Sequence, residues 1–315
     1  MAERRKVSVV GAGSVGATVA YASLIRGAPK TMALYDIDRD KVRAEVLDLD
    51  HGSQFYPTAN VIGSDDIAVT ADSDIVVITA GAKQKPGQSR LELAAVNVEI
   101  CRSLVPELLG LSPEAILLLV TNPVDVVTYA TMQASGLPSR RVFGSGTVLD
   151  SSRLRTLLAQ HCHVAVHSVN AFIVGEHGDS QVPAWSQAAI GGVPNRDWSP
   201  PGRAPVDDQT LDRIAREVVT AAEEIIRGKG ATNYAVGLAA AGIVEAVLND
   251  ERSVMPVSSL LTGQYGIDDV CLSLPSIVDD KGVDAILTPP LSEDEADAMR
   301  RSAETVRGVE RSLGI

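Results

Sequence analysis

Histidine, aspartate and arginine at three places in this 315-residue chain could together move a proton and grip an anion. His177 stands in Gly175-Glu176-His177-Gly178-Asp179-Ser180, directly after the apolar run Ala171 to Val174. The flanking glycines leave its backbone free to present the ring at a strand end. Imidazole titrates near neutrality, which suits general acid–base work. Taken alone, the residue reads as an ordinary loop histidine. Asp150 and Arg153, in Asp150-Ser151-Ser152-Arg153, are three residues apart and so share one helix face. The bland outcome for them is a surface ion pair. The chemical outcome divides them: Asp150 orients and charges a histidine, while Arg153 holds a carboxylate through two parallel hydrogen bonds. Arg90 follows the polar loop from Gly81 to Ser89, whose glycines and proline suit a hinged lid. Thr121-Asn122-Pro123 predicts an N-cap at Asn122 with proline in the first helical position.

A proton carrier gains meaning from the reaction beside it, and residues 7–36 suggest one. Val7 to Val10 is a strand-length apolar run, and Gly11-Ala12-Gly13-Ser14-Val15-Gly16 spells G-x-G-x-x-G before a helical pattern at Val15, Val19, Ala22 and Ile25. A second apolar segment, Met32 to Tyr35, ends at Asp36, twenty residues after Gly16. Gly11 permits a tight strand-to-helix turn, Gly13 lets backbone approach a pyrophosphate, and Gly16 allows close helix–strand packing. Unpaired N–H groups and the helix dipole would hold the pyrophosphate. Glycine clusters alone mark ordinary turns; strand, glycines, helix, strand and acid in register point to a dinucleotide. A carboxylate at Asp36 binds ribose hydroxyls and repels a 2′-phosphate, so NAD is expected rather than NADP. Hydride transfer to or from NAD requires a proton acceptor, which raises His177 above a bystander.

The elements that must position these residues alternate. Asp38 to Leu49 reads as a surface helix, Asn60 to Gly63 and Ala68 to Thr70 as short strands, and Asp74 to Thr79 as a buried strand. Leu91 to Leu109 is helical, with Leu93, Val96, Ile100, Leu104 and Leu108 along one side; Ala115 to Val120 is a buried strand, and Pro123 opens a helix to Ser135. This pattern predicts an α/β fold: a Rossmann-type doubly wound parallel sheet over residues 1–145, with ligands beyond the strand ends near Gly11, Ala80 and Thr121. Val142-Phe143 reads as its last strand, and Gly144-Ser145-Gly146 as a natural boundary. Residues 146–315 predict a mixed α+β catalytic domain. It would hold a helix from Asp150 to His161, a strand from His167 to Val174, and an amphipathic helix from Pro205 to Arg227 with Leu211, Ile214, Val218 and Ile225 inward. The small-residue helix Thr232 to Leu248 should pack closely on another helix or subunit. Short strands follow at Val254 to Leu260 and Val270 to Leu274, and Ser292 with Glu295 forms a capping box for a final helix.

Composition narrows the rest. Hydrophobic residues make up 45% and charged residues 22%, and three Phe and two Trp leave the core to Val, Leu, Ile and Ala. A net charge of −12 with no offsetting basic run argues against nucleic acid. The basic start Met1 to Lys6 precedes only a strand-length apolar run, so neither a signal peptide nor a membrane span is expected. Cys101, Cys162 and Cys271 are few, odd in number and far apart, which fits a reducing cytoplasm. His161-Cys162-His163 with His167 could ligate a metal, but histidines at a helix end serve its carbonyls and dipole; no metal is expected. P-loop and G-x-S-x-G patterns do not occur.

Over nearly its whole length the chain resembles the lactate/malate dehydrogenase family, on its lactate side. The motifs that carry this are GAGSVG, GAKQKPGQSR, TNPVD, GSGTVLDSSRLR, GEHGDS and GKGATNY. The resemblance implies reversible hydride transfer between (S)-lactate and NAD, giving pyruvate and NADH. His177 would be the proton donor and acceptor, Asp150 its partner, and Arg153 the carboxylate site. Arg90 would polarise the carbonyl on loop closure, Asn122 would bond substrate and cofactor, and Gln84 and Thr232 would line the methyl pocket. Cofactor contacts would come from Gly11, Gly13, Ser14, Val15, Gly16, Asp36, Thr79, Ala80, Gly81, Asn97, Val120 and Asn122. Family members are commonly tetramers, sometimes dimers. Many bacterial ones respond to fructose 1,6-bisphosphate through an arginine matched here by Arg155 and a histidine whose place Asn170 holds, so weak activation or none is expected. A malate dehydrogenase is the nearest alternative, and a catalytically silent NAD-binding regulatory protein a distant one.

Overall fold

The computed structural model describes residues 5–82, 90–200, 202 and 205–315, and among these a nine-stranded sheet forms the spine. In chain order the first half gives β1 (Lys6–Val10), α1 (Ser14–Arg26), β2 (Thr31–Tyr35), α2 (Arg39–His51), β3 (Asn60–Ser64), β4 (Ile75–Ile78) and α3 (Arg90–Leu111). Then come β5 (Ile116–Leu119), α4 (Val124–Ser135), β6 (Val142–Gly144) and α5 (Val148–Cys162). Four short strands follow: β7 (Val169–Asn170), β8 (Ile173–Val174), β9 (Val182–Pro183) and β10 (Ala189–Ile190), with β11 (Val193–Pro194) after them. The chain ends with α6 (Asp208–Lys229), α7 (Tyr234–Leu248), β12 (Ser253–Thr262), β13 (Asp268–Asp279), β14 (Gly282–Ile286) and α8 (Glu293–Leu313).

Period-two alternation sends the strand side chains to two layers. Val7, Val9, Val77 and Leu118 pack on α1 and α7 through Val19, Leu24, Ile243 and Val244. Val10, Val76, Ile78, Leu117 and Leu119 pack on α3, α4 and α8 through Cys101, Val105, Val127, Met299 and Val306. Both faces are thus covered, as the continuous apolar runs require. Strands β3, β2, β1, β4, β5 and β6 are parallel, so their carboxyl ends share one edge. The small-residue helix α7 lies against α1, where a Cβ on Gly237 would come within 2.5 Å of Thr18 Cγ2.

Several expectations need correction. The second half keeps only two small sheets to itself, the three-stranded β11–β10–β7 and the two-stranded β8–β9. Its β12, β13 and β14 extend the parallel sheet antiparallel from β6, with Ser258 opposite Gly144. Glycine is required there, since a Cβ on Gly144 would meet Thr128 Oγ1 at 2.6 Å. The two short strands expected are in fact the long hairpin β12–β13. Ala68 to Thr70 is a 3-10 turn, because the Asp66 carboxylate accepts from Ala68 N at 2.9 Å and caps it. His167 to Val174 is broken into a 3-10 turn and two strands that pair with different partners, β7 with β10 and β8 with β9. Asp207 caps α6, so that helix starts at Asp208, and Ile225 stands 38% exposed because the helix end projects from the core. On α3 the core-facing residues are Ala94, Val98, Cys101, Val105 and Leu108, while Val96 is exposed and Leu93, Ile100 and Leu104 face a cleft. The capping box at Ser292 and Glu295 is present in full.

Candidate active site

At the carboxyl ends of β1, β4 and β5 lies a cleft of about 670 Å³. Its lining includes all twelve residues named above for the cofactor, from Gly11 to Asn122. Gly11 has φ +100° and its Cβ would lie 2.7 Å from Ala80 N, while a Cβ on Gly16 would meet Gly11 O at 1.9 Å. Around Gly13, by contrast, the nearest group is Lys41 Nζ at 3.9 Å, so backbone there is open to a bulky anion. Asp36 Oδ2 accepts from Ala12 N at 2.7 Å and Lys41 Nζ at 3.1 Å, and Oδ1 from Asp38 N at 3.0 Å. Burial works against its ionisation, but these donors outweigh burial and hold the carboxyl below its usual range. An open glycine turn and a charged acid at the second strand end fit NAD. Sequence reasoning missed Lys41, Leu93 and Ile100, which reach the cleft only through helix packing.

His177 is held from several sides. Gly175 N and O pair with Ser273 O and N of β13, both at 2.9 Å. Glu176 N donates to Ser302 Oγ of α8 at 2.8 Å, and His177 N to Asp125 Oδ2 of α4 at 2.7 Å. Its Nδ1 meets Asp150 Oδ2 at 2.5 Å. Asp150 sits in the first turn of α5, where the dipole favours a carboxylate. Two hydroxyls stitch that turn to β8, the strand before the histidine loop. Thr147 Oγ1 donates to Ile173 O at 2.6 Å, and Ser151 Oγ accepts from Ile173 N at 2.8 Å. Arg153 Nη1 donates to Asp150 Oδ1 at 2.8 Å, so one carboxylate serves both cations.

Charges follow from this geometry. Burial alone would raise the Asp150 carboxyl, yet His177 and Arg153 hold it below its ordinary value. Burial alone would lower the imidazole, yet Asp150, with Asp125 behind it, raises it above 6.5. The pair therefore favours imidazolium against carboxylate. Asp125 has its other oxygen bonded by Ser258 Oγ at 2.6 Å, and burial pushes its carboxyl up to about 6.

Asn122 lines the cleft, and its carbonyl accepts from Asn97 Nδ2 at 2.7 Å; Asn97 Oδ1 accepts from Ala82 N at 2.7 Å. Asn122 is not the N-cap. The Asn122–Pro123 peptide is cis, and Pro123, with extended φ and ψ, takes the cap position ahead of Val124. Arg90 opens α3. Gln84 lies outside the described residues. Thr232 is half-buried in the connection from α6 to α7, where its neighbour Asn233 donates to Thr18 Oγ1 at 3.0 Å. Among the described residues no hydrogen bond ties Thr232 to His177. Arg155 Nε donates to Ala171 O at 2.8 Å and its guanidinium lies 4.9 Å from the Phe172 ring centre, next to exposed Asn170. Asp125, Ser258 and Ser302 escaped the sequence reading: Asp125 stood in the TNPVD motif with a helix to explain it, and the serines carried no signal.

A dinucleotide cleft at strand ends, three residues along the chain from a carboxylate that anchors the backbone of a histidine paired with a second carboxylate, is the arrangement of an NAD-dependent oxidoreductase. The chain belongs to the lactate/malate dehydrogenase family. Residues 5–144 match the family model described as lactate/malate dehydrogenase, NAD binding domain, and residues 147–309 the one described as lactate/malate dehydrogenase, alpha/beta C-terminal domain. An L-lactate dehydrogenase of Bifidobacterium animalis subsp. lactis (strain AD011) is 52% identical over 98% of this chain and 97% of that one. One from Thermoanaerobacter sp. (strain X514) is 46% identical over 98% and 99%. A crystal structure of a minor L-lactate dehydrogenase from Enterococcus mundtii, in ligand-bound form, superposes with a TM-score of 0.94 at 38% identity, covering 98% of each chain.

Proposed function

We propose that the chain is an L-lactate dehydrogenase, interconverting (S)-lactate and pyruvate, with residues 1–145 holding the cofactor and 146–315 supplying the catalytic groups. The observation that carries this is the buried Asp150 carboxylate bridging His177 and Arg153. Bonding Nδ1 leaves Nε2 to give its proton to the pyruvate oxygen and to take it back from lactate. Arg153 is the guanidinium for the substrate carboxylate, a group both 2-oxo acids carry. Arg90 and Asn122 address the carbonyl, and Gln84 and Thr232 the methyl end. Gly11, Gly13, Ser14, Val15, Gly16, Asp36 and the strand-end residues Thr79, Ala80, Gly81, Asn97, Val120 and Asn122 hold NAD, which supplies the hydride acceptor.

Exposed apolar side chains on α1 and α7, Tyr21, Ile25, Tyr234 and Leu238, support self-association, and we assign a homotetramer. The three cysteines are free and buried, which supports a reducing cytoplasm; among the described residues no helix is long and apolar enough to cross a membrane. Loss of NADH absorbance with pyruvate, run beside oxaloacetate, tests the substrate. Faster turnover of oxaloacetate would make the chain a malate dehydrogenase, and no turnover of either would make it a silent NAD-binding protein.

A further inference from the structure

We propose that Asp125 is a positioning residue of the histidine: it fixes His177 through the backbone and places a second negative charge beside the ring. This rests on the reading of His177 as the proton carrier. Asp125 stands in the first turn of α4, three residues after the cleft residue Asn122, and is 2% exposed. Oδ2 accepts from His177 N at 2.7 Å, and Oδ1 accepts from Ser258 Oγ of β12 at 2.6 Å. One side chain thus joins α4, β12 and the histidine loop. Had anchoring alone been needed, a neutral acceptor would serve, as Ser302 does for Glu176 N. A buried carboxylate is costly, so its presence calls for a use of the charge.

That use follows from Coulomb's law. A negative group close to an imidazole favours the charged ring, by about 1–3 pH units for a carboxylate within a few ångströms. Asp150 does this from the Nδ1 side, Asp125 adds to it from the backbone side, and Arg153 of α5 works against both. The groups facing Asp125 set how ionised it is. Burial pushes it up to about 6; Ser258 and the His177 N–H pull it back, and Glu176 of the same loop pushes it up. From α8, Glu310 adds negative charge and is itself pushed up to about 7 by burial and Asp269. From β13, the Cys271 thiol is buried and stays neutral. At pH 7.5 and above Asp125 is therefore ionised and acts on the ring.

The test is a ring-proton NMR titration of His177 in the full chain without substrate. The chain has five histidines, so the resonance is assigned by its loss in His177→Asn. Asn fits where Asp125 is: its Oδ1 can still accept from His177 N, and its amide can donate to Ser258. Asp125→Asn should keep the fold and NADH affinity yet lower the His177 midpoint by about one unit. At pH values above the midpoint, kcat/KM for pyruvate should fall about tenfold, because one unit is a tenfold change in the protonated fraction. Ser258→Ala, which never touches His177, should lower the midpoint by less, and should add nothing in the Asp125→Asn background. An unchanged midpoint in Asp125→Asn would show that Asp125 serves structure alone. Were that variant unfolded, a wild-type midpoint in Ser258→Ala would overturn the proposal equally. Because the titration contains no substrate, failure of wild type to oxidise NADH with pyruvate would defeat the substrate reading and leave this one standing.

Discussion

His177 Nδ1 and Asp150 Oδ2 are 2.5 Å apart, and the other oxygen of the same carboxylate is 2.8 Å from Arg153 Nη1. Asp150 is 3% exposed at its side chain, so this bridge works away from bulk water, where charges interact more strongly. His177 and Arg153 are thereby locked to one helix turn.

Replacing His177 by Asn should leave NADH binding intact and remove most turnover. General acid–base groups contribute about 10²–10⁴-fold, and in the proposed role this one would also bond the substrate oxygen. Stopped-flow turnover beside NADH fluorescence titration checks it; a variant keeping a tenth of wild-type turnover would count against the role.

The direction of the reaction should select the protonation state. Pyruvate reduction needs imidazolium, so its kcat/KM should be flat below the His177 midpoint and fall as pH rises through it. Asp150 and Asp125 raise that midpoint above 6.5, so the fall should begin above that pH. Lactate oxidation needs the neutral ring, and its kcat/KM should rise through the same midpoint. In Asp150→Asn both limbs should move to lower pH. Two profiles that fail to mirror each other would place the titration elsewhere.

Coenzyme choice should turn on Asp36 and Lys41. The carboxylate repels a 2′-phosphate and occupies the Lys41 ammonium at 3.1 Å. Asp36→Ser should weaken NADH and release Lys41 to meet the phosphate, shifting the NADPH/NADH affinity ratio at least about tenfold. Fluorescence titration with both nucleotides measures this, and an unchanged ratio would remove Asp36 from the choice.

Substrate choice should turn on residue 84, which lies outside the described residues. A methyl group needs no partner in a closed pocket, whereas a second carboxylate enclosed without a cation is costly. Wild type should prefer pyruvate strongly. Gln84→Arg should reverse the preference toward oxaloacetate by supplying a bidentate donor. Comparison of kcat/KM for both acids in both proteins decides it.

Fructose 1,6-bisphosphate should activate weakly or not at all. Arg155 already spends Nε on Ala171 O and lies over Phe172, and Asn170 brings no positive charge to the same edge. Burial also lowers the Arg155 guanidinium from its ordinary value. A tenfold fall in pyruvate KM at millimolar effector would overturn this.

The sequence alone was enough for much of what is local. The glycine turn at Gly11 to Gly16, Asp36 after the second strand, the covered parallel strands and the capping box at Ser292 all follow from spacings within about 30 residues, because turn chemistry and side-chain periodicity act over that range. Asp150 and Arg153 share a helix face by arithmetic. Tertiary structure alone decided what crosses the chain. Residues 258 and 144 become strand neighbours, which carries the second half onto the first sheet. Thr147 and Ser151 fasten α5 to β8 and so bring Asp150 to His177. Leu93, Ile100 and Leu104, expected only to share one side of a helix, line the cleft. Asp125 meets a histidine 52 positions away. Such contacts depend on how whole elements pack, and a serine or aspartate that makes them has the same composition and local pattern as one that does not.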